Sequence, residues 1–240
     1  MAKTKKILLI LLAAVIAGIA ACGIYVSGYY RADADRIAAF PAGDTVRIET
    51  AEDGLRFYIP QEITAGLVFY PGGLVEYTAY EPLMLACADR GILCALVEMP
   101  FHLAVLDMDA AEGIPERFPQ VVRWYIGGHS LGGSMAASYL EGSSAQYEGL
   151  ILLASYSAAD LSGTGLSVLS VYGTEDTVLN RERYRDCLSN LPQTFTEYVI
   201  EGGCHANFGA YGPQRGDGTP SVDAVRQITE TAQLIADFAA

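Results

Sequence analysis

The chain has 240 residues, of which 51% are hydrophobic and 18% are charged, and its 15 basic and 28 acidic side chains give a net charge of −13. This composition excludes a disordered chain, and the length fits one folded domain with a short appendage. All three lysines precede residue 7, so residues 31–240 carry twelve arginines against 28 acidic residues, a net charge of −16. Such a surface repels phosphate backbones and argues against a nucleic-acid partner.

An uncharged run from Ile7 to Tyr30 follows the lysines and is long enough for a membrane-spanning helix, which needs about 20 residues. We expect an anchor or signal segment at 1–30 and one folded domain at 31–240. A retained anchor with its lysines in the cytoplasm would make a single-pass protein of the cell membrane with an extracytoplasmic domain. Two alternatives stay open: a lipoprotein anchored at Cys22, because the four residues ending there resemble a bacterial lipobox, and a buried soluble helix.

Hydrophobic patterning in the rest of the chain predicts strands that alternate with helices. The predicted strands are Val46–Thr50, Leu55–Ile59, Leu67–Tyr70, Ile92–Val97, Val122–Ile126, Leu150–Ala154, Leu166–Tyr172 and Phe195–Ile200. The predicted helices are Tyr77–Arg90, a helix within Leu103–Phe118, Ser134–Leu140, residues 181–189, and a terminal helix opened by Ser221 with the apolar face Val222, Val225, Ile228, Ala232, Ile235 and Phe238.

Most of these strands are continuous apolar runs, which is typical of strands buried on both faces. The pattern therefore predicts an α/β fold with a mostly parallel central sheet and helices on both faces. Only residues 155–165 separate two strands that we expect to be parallel, which is near the minimum for a crossover and excludes a large cap domain there.

One segment carries a G-x-S-x-G pattern, formed by Gly128, Ser130 and Gly132 between a predicted strand and a predicted helix. A serine on such a sharp turn projects its hydroxyl at the carboxyl edge of the sheet, and small flanking residues relieve the crowding. We expect Ser130 to be a nucleophile, and His129 to be a structural residue of the elbow because it adjoins Ser130 on the turn.

A serine nucleophile needs a base, and the base needs an acid that orients it. His205 lies in a glycine-rich loop after the last predicted strand, where it can reach the nucleophile, and His102 is the alternative base. Asp176 follows a strand and is the expected acid. Glu175 and Asp160 are the alternative acids.

An oxyanion hole needs two N–H donors. We expect one from Leu131, the residue after the nucleophile, and the other from Gly73 or Leu74 in the loop after Leu67–Tyr70.

The five cysteines form no CxxC and no Cys/His cluster with zinc spacing, so the sequence predicts no structural metal. Cys87 and Cys94 fall in apolar segments and are expected to be buried thiols. Cys187 and Cys204 flank one predicted helix–strand unit, and we expect a disulfide between them if the domain is exported.

These motifs, in this order, resemble the α/β-hydrolase superfamily, and most closely a compact bacterial group similar to the dienelactone hydrolases with an amino-terminal membrane segment. The matching pieces are Tyr70–Gly73, Met99–Phe101, Gly127–Gly133, Tyr172–Asp176 and Gly202–His205. The resemblance implies a Ser-His-Asp hydrolase that acts on an ester or related acyl bond of a small molecule, without a cofactor. The dienelactone hydrolases proper use a cysteine where this chain has Ser130.

The expected function is thus an extracytoplasmic serine esterase. A thioesterase or peptidase on the same scaffold, and a catalytically silent binding protein of the cell envelope, are the alternatives.

Overall fold

A computed structural model of the protein describes residues 2–40 and 45–240. Its centre is an eight-stranded sheet with the order β1-β2-β4-β3-β5-β6-β7-β8. The strands are β1 Arg47–Thr50, β2 Arg56–Ile59, β3 Ala65–Tyr70, β4 Ile92–Leu96, β5 Trp124–His129, β6 Gly149–Leu153, β7 Ser167–Gly173 and β8 Phe195–Ile200. The helices are α1 Ala2–Ser27, α2 Ala34–Ala38, α3 Glu81–Ala88, α4 Leu131–Ser143, α5 Arg181–Cys187 and α6 Ala224–Phe238.

The sheet is parallel from β4 through β8, and only β1 and β2 run antiparallel to their neighbours. The loops after β3, β5, β7 and β8 therefore meet at one edge, the carboxyl edge of the sheet. This confirms the predicted α/β architecture without a cap domain, and it brings all the predicted site segments to the same edge.

Two apolar cores cover the two faces of the sheet. Helices α3 and α6 pack on one face, where Ile228, Ala232 and Ile235 of α6 are fully buried. Helix α4 packs on the other face through Ala136, Ala137 and Leu140, and α5 lies on that side too, because the hydroxyl of Tyr184 is 3.0 Å from that of Ser170. Continuous apolar strands are required because both faces of the sheet are covered.

The structure corrects one predicted helix. Residues 103–118 form short 3₁₀ turns at Ala104–Leu106 and Pro115–Arg117 rather than an α-helix. Gly113 takes a positive φ of 74°, which no helix interior adopts, and the proline follows two residues later. Together they interrupt the hydrogen-bond ladder of a helix.

The apolar face of the terminal helix also differs from the prediction. Val225 is 43% exposed, whereas Gln227 and Thr231 are fully buried beside Ile228. Gln227 is buried because its side chain donates to the Cys204 carbonyl and accepts from the Cys204 N–H. A polar side chain that satisfies two backbone groups is stable in a core position.

Helix α1 is long and apolar enough to cross a membrane over Lys5–Ser27, a test that signal sequences also pass. Within the described residues, the most apolar stretch of this span is not buried against the domain, which argues against a helix hidden in a soluble core.

The burial difference on α6 gives a stability test. Ile228→Ala should lower the free energy of unfolding by about 2–5 kcal/mol, because it removes buried methyl groups and leaves a cavity. Val225→Ala, three residues earlier on the exposed face, should change it by less than about 0.5 kcal/mol. Urea unfolding of both variants measures the difference, and equal effects would contradict the helix orientation described here.

Candidate active site

Ser130 forms a strained turn between β5 and α4. Its backbone has φ 52° and ψ −121°, a conformation that costs a non-glycine residue about 1–3 kcal/mol and persists only where its surroundings enforce it. The Ser130 N–H donates to the carbonyl of Leu153 at 2.9 Å, and its carbonyl accepts from the hydroxyl of Ser155 at 2.7 Å. The neighbouring strand β6 and the loop after it thus hold the turn in place.

The two glycines of the pattern are explained by close backbone approach. A Cβ on Gly128 would lie 2.5 Å from the carbonyl oxygen of Tyr70, and one on Gly132 would collide with the carbonyl oxygens of both Tyr70 and Pro71. Any side chain at either position would push the elbow away from the end of β3. The glycines therefore keep Ser130 close to the loop that follows β3.

His205 lies in the loop after β8, and its ring is held by a carboxylate. Its Nδ1 is 2.9 Å from Oδ2 of Asp176, and because an ionised carboxylate can only accept, Nδ1 carries the proton and Nε2 is left with its lone pair. The N–H groups of His205 and Ala206 both donate to the carboxylate of Asp217, at 3.2 and 2.8 Å. Side chain and backbone of the histidine are therefore fixed by separate carboxylates.

Asp176 follows β7 and is buried. Burial alone would raise the pKa of its carboxyl, but the hydrogen bond from His205 and those from the N–H groups of Leu179 and Val178 outweigh it, so the pKa is lowered. The two N–H groups donate to Oδ1 at 2.8 and 2.9 Å. The carboxylate therefore stays ionised and can stabilise a protonated imidazole beside it.

Ser130 and His205 line one cavity of about 250 Å³ at the carboxyl edge, together with Leu131, Ala154, Val178 and Leu179. Among the described residues, the Ser130 hydroxyl makes no hydrogen bond to the imidazole. Catalytic hydrogen bonds are often long in the absence of substrate and tighten only in the complex. Ser130 and His205 thus share one cavity, and Asp176 lies outside its lining, hydrogen-bonded to Nδ1 of His205.

Two backbone N–H groups near Ser130 are free to act as donors. Leu131 begins helix α4, and a Cβ on Gly73 would lie 2.9 Å from the Leu131 side chain, so the two residues are in contact range. Neither N–H is bonded within the described parts of the chain. The Leu74 N–H, in contrast, donates to the carbonyl of His102 at 2.8 Å, so this structure does not offer Leu74 as the second donor.

His129 is buried, and it contacts both the loop after β3 and His205, whose ring centroid is 4.4 Å from its own. The Tyr80 hydroxyl accepts from the Gly72 N–H at 3.1 Å and lies within hydrogen-bond distance, 2.7 Å, of Nδ1 of His129. Burial and the nearby His205 hold the pKa of His129 well below its usual value, which keeps the ring neutral. His129 thus links the elbow to the loop of Gly72 and Gly73.

The alternative base and acids lie elsewhere. The His102 ring stacks on Tyr29 with centroids 4.0 Å apart. Glu175 is exposed, and the exposed Asp160 binds Ser162. None of the three lines the cavity of Ser130.

Sequence reasoning missed Tyr80, Asp217, Ser155 and Gln227, which support the site through hydrogen bonds. Their partners in the site lie at least 8 residues away along the chain, and none of the four belongs to a recognisable motif. For Asp217, the one available sequence signal is its position in a loop rich in glycine and proline, which distinguishes it from the other acidic residues.

The expected disulfide is absent, because Cys187 and Cys204 are both free thiols. Cys204 belongs to the core under α3 and α6, whereas Cys187 ends helix α5 on the opposite face of the sheet. The sheet therefore separates the two thiols. Cys87 and Cys94 are buried free thiols, as expected.

The elbow glycine predicts a stability difference within one helix. Gly132→Ala should destabilise the fold, because its Cβ meets two backbone carbonyls that cannot move aside. Gly142→Ala, in the same helix with nothing within 4 Å of its Cβ, should stabilise it by about 0.5–1 kcal/mol. Thermal unfolding of the two variants compares them, and a stable Gly132→Ala protein would refute the close approach.

The pKa of Asp176 predicts a pH effect on stability. Because the folded-state pKa is lowered, the ionised carboxylate stabilises the fold above its unfolded-state pKa of about 3.9, and this contribution is lost as the pH falls through the lower folded value. Asp176→Asn should therefore lose less stability than the parent protein between pH 5 and pH 2 (roughly the range over which such carboxylates titrate). Urea unfolding measures this loss.

Glu175→Gln is the matched control, because Glu175 is the exposed neighbour of Asp176. It should retain the pH dependence of the parent. If Glu175→Gln removes the dependence and Asp176→Asn keeps it, the assignment of the stabilising carboxylate is wrong.

Comparisons with known proteins agree with this architecture. A sequence model described as "Alpha/beta hydrolase family" matches residues 66–229, more than half of the chain. None of the curated protein sequences compared with the chain matches it.

Solved structures with the same fold include three proteins of low sequence identity to this chain. A predicted CIB-like hydrolase from Thermoplasma acidophilum is 16% identical with a TM-score of 0.56, over 82% of this chain and 98% of that one. The protein TT1662 from Thermus thermophilus is 14% identical with a TM-score of 0.60, over 81% and 98%. A dienelactone hydrolase from Anabaena variabilis is 14% identical with a TM-score of 0.57, over 80% and 96%.

The family match spans the segments that carry Gly73, Ser130, Asp176 and His205, and the sheet order and structural neighbours agree with it. The chain therefore belongs to the alpha/beta hydrolase family and is a hydrolase.

Proposed function

We propose that this protein is a serine hydrolase that cleaves an ester or related acyl bond of a small molecule through a covalent acyl-enzyme. The observation that carries the proposal is the buried His205–Asp176 pair on the cavity that Ser130 lines. The pair supplies a base, His205, which lines the same cavity as the Ser130 hydroxyl on its strained turn.

In the first half-reaction, Oγ of Ser130 attacks the acyl carbon while Nε2 of His205 takes the hydroxyl proton. The N–H groups of Leu131 and Gly73 stabilise the oxyanion that forms. The bond to the leaving group then breaks, the imidazolium returns its proton to the leaving oxygen, and the acyl group stays on Ser130. Asp176 stabilises the imidazolium between the two steps.

The second half-reaction uses water. His205 takes a proton from the attacking water, a second tetrahedral intermediate collapses, and the acid leaves as Ser130 regains its proton. The balance is one acyl bond broken and one water consumed, so this chemistry needs no cofactor.

The amino-terminal helix supports a membrane location for the enzyme. With Lys3, Lys5 and Lys6 on the cytoplasmic side, α1 would cross the cell membrane once and place the catalytic domain outside. The alternative, a lipoprotein attached at Cys22, places the domain on the same side.

The test is labelling of the full chain by a fluorophosphonate probe, with hydrolysis of a short p-nitrophenyl ester measured in parallel. Ser130→Ala should abolish labelling and lower turnover by about 10⁴–10⁶-fold, since the nucleophile is lost. His205→Ala should have a similar effect on turnover.

Ser138→Ala is the matched control, since this serine lies two turns further along α4 and its hydroxyl binds only the Ser134 carbonyl. It should keep both labelling and turnover. Labelling that survives in Ser130→Ala would contradict the mechanism.

The labelled parent protein should also stay with the membrane after an alkaline carbonate wash. Its intact mass then distinguishes a retained anchor from a lipoprotein cleaved before Cys22.

A further inference from the structure

The residues directly after α1 are built into the domain beside the loop that follows β3. The N–H of Tyr30 donates to the carbonyl of Leu74 at 2.7 Å, and the N–H of Glu76 donates to the carbonyl of Tyr30 at 2.9 Å. The N–H of Asp33 donates to the carbonyl of Ala210 at 2.8 Å. The chain therefore reaches the domain at the carboxyl edge of the sheet.

The link between the span and this edge is short. Ser27 ends helix α1, and an extended chain covers at most about 3.5 Å per residue, so Tyr30 lies within about 11 Å of the end of the span. Leu74, bonded to Tyr30, and Gly73 beside it are held within the same reach. With α1 in a membrane, this short link would hold the carboxyl edge of the sheet close to that membrane, whatever the tilt of the helix.

The same edge carries a group of exposed apolar side chains that we name the apolar rim: Phe101, Val105, Leu106 and Met108. Phe101 is 65% exposed and Leu106 is 56% exposed. All four lie in one stretch that begins five residues after the carboxyl end of β4. The other large apolar side chains exposed on the described domain, such as Ile48, Val122 and Val225, are scattered over other elements.

The apolar rim lies between Ser130 and the residues that directly follow α1, such as Tyr29. His102, next to Phe101, stacks on Tyr29 with ring centroids 4.0 Å apart, and its carbonyl accepts the Leu74 N–H. On the other side, the turn Ala104–Leu106 packs against helix α4, which begins directly after Ser130. Tyrosines such as Tyr29 are enriched where a span meets the lipid headgroups.

We propose that the apolar rim inserts into the interfacial layer of the membrane that holds α1, and that Ser130 acts on acyl esters presented from that membrane. This inference rests on the serine hydrolase function proposed above. The attraction is apolar rather than electrostatic, because Asp107 and Asp109 flank Met108 and the domain is acidic. Vesicles of zwitterionic phosphatidylcholine should therefore suffice.

The experiment places the full chain in phosphatidylcholine vesicles whose acyl chains are brominated near the headgroup, and compares Phe101→Trp with Val122→Trp. Val122 is 89% exposed and precedes β5, so it lies at the opposite, amino edge of the sheet. Bromine quenches tryptophan on contact. The native Trp124 is buried in the parent protein, and its fluorescence in the parent is subtracted as the background.

We expect the added fluorescence of Phe101→Trp to fall by about half, since interfacial side chains reach roughly 5–10 Å into the headgroup and acyl boundary. That of Val122→Trp should not change. Equal quenching of the two variants would overturn the inference.

A second measurement uses the double variant Phe101→Ser/Leu106→Ser. Its turnover of p-nitrophenyl palmitate dissolved in the vesicles, divided by its turnover of soluble p-nitrophenyl acetate, should fall about tenfold relative to the parent, because two apolar contacts with the membrane are lost. Val122→Ser should keep the parent ratio, and an unchanged ratio in the double variant would count against membrane-presented substrates.

The outcomes separate the two proposals. If Ser130 is labelled by fluorophosphonate but Phe101→Trp is not quenched, the hydrolase stands and the membrane-facing edge is wrong. If Phe101→Trp is quenched but nothing is labelled, the edge faces the membrane and the serine hydrolase mechanism is wrong.

Discussion

The site depends on one steric constraint, the backbone approach of the elbow to the end of β3. Gly132 lies against the carbonyls of Tyr70 and Pro71, where no side chain fits. This contact sets Leu131 beside Gly73 and so brings two free N–H groups next to the strained Ser130. Without it, Ser130 and Leu131 would not be held beside Gly73.

The loop that carries His205 is held in place independently of the elbow at Ser130. The carboxylate of Asp217 accepts from two consecutive N–H groups of the His205 loop, and Gln227 of α6 closes a pair of hydrogen bonds on Cys204. The histidine loop is thus fastened to a terminal helix whose apolar face is buried in the core. Packing energy far from the cavity therefore contributes to the position of the imidazole.

Local patterns in the sequence were sufficient to predict the sheet and the convergence of Ser130, Asp176 and His205 at one edge, because parallel strands necessarily bring their carboxyl ends together. Features set by long-range contacts were not predictable. The engagement of Leu74 with His102, the burial of Gln227 in place of Val225, and the placement of Cys187 and Cys204 on opposite faces each depend on a partner distant in sequence. The helix expected within 103–118 does not form for a local reason, since Gly113 and Pro115 interrupt its hydrogen-bond ladder despite the apolar residues around them.

The pairing of Tyr30 with Leu74 and Glu76 makes the juxtamembrane residues part of the folded domain. A truncated protein that starts after Asp33 would lack Tyr30, the hydrogen-bond partner of the Leu74 carbonyl and of the Glu76 N–H. The loop that carries Gly73 would then be uncovered. Shortened forms that begin no later than Gly28 should therefore keep these hydrogen bonds, and with them the position of the loop that carries Gly73.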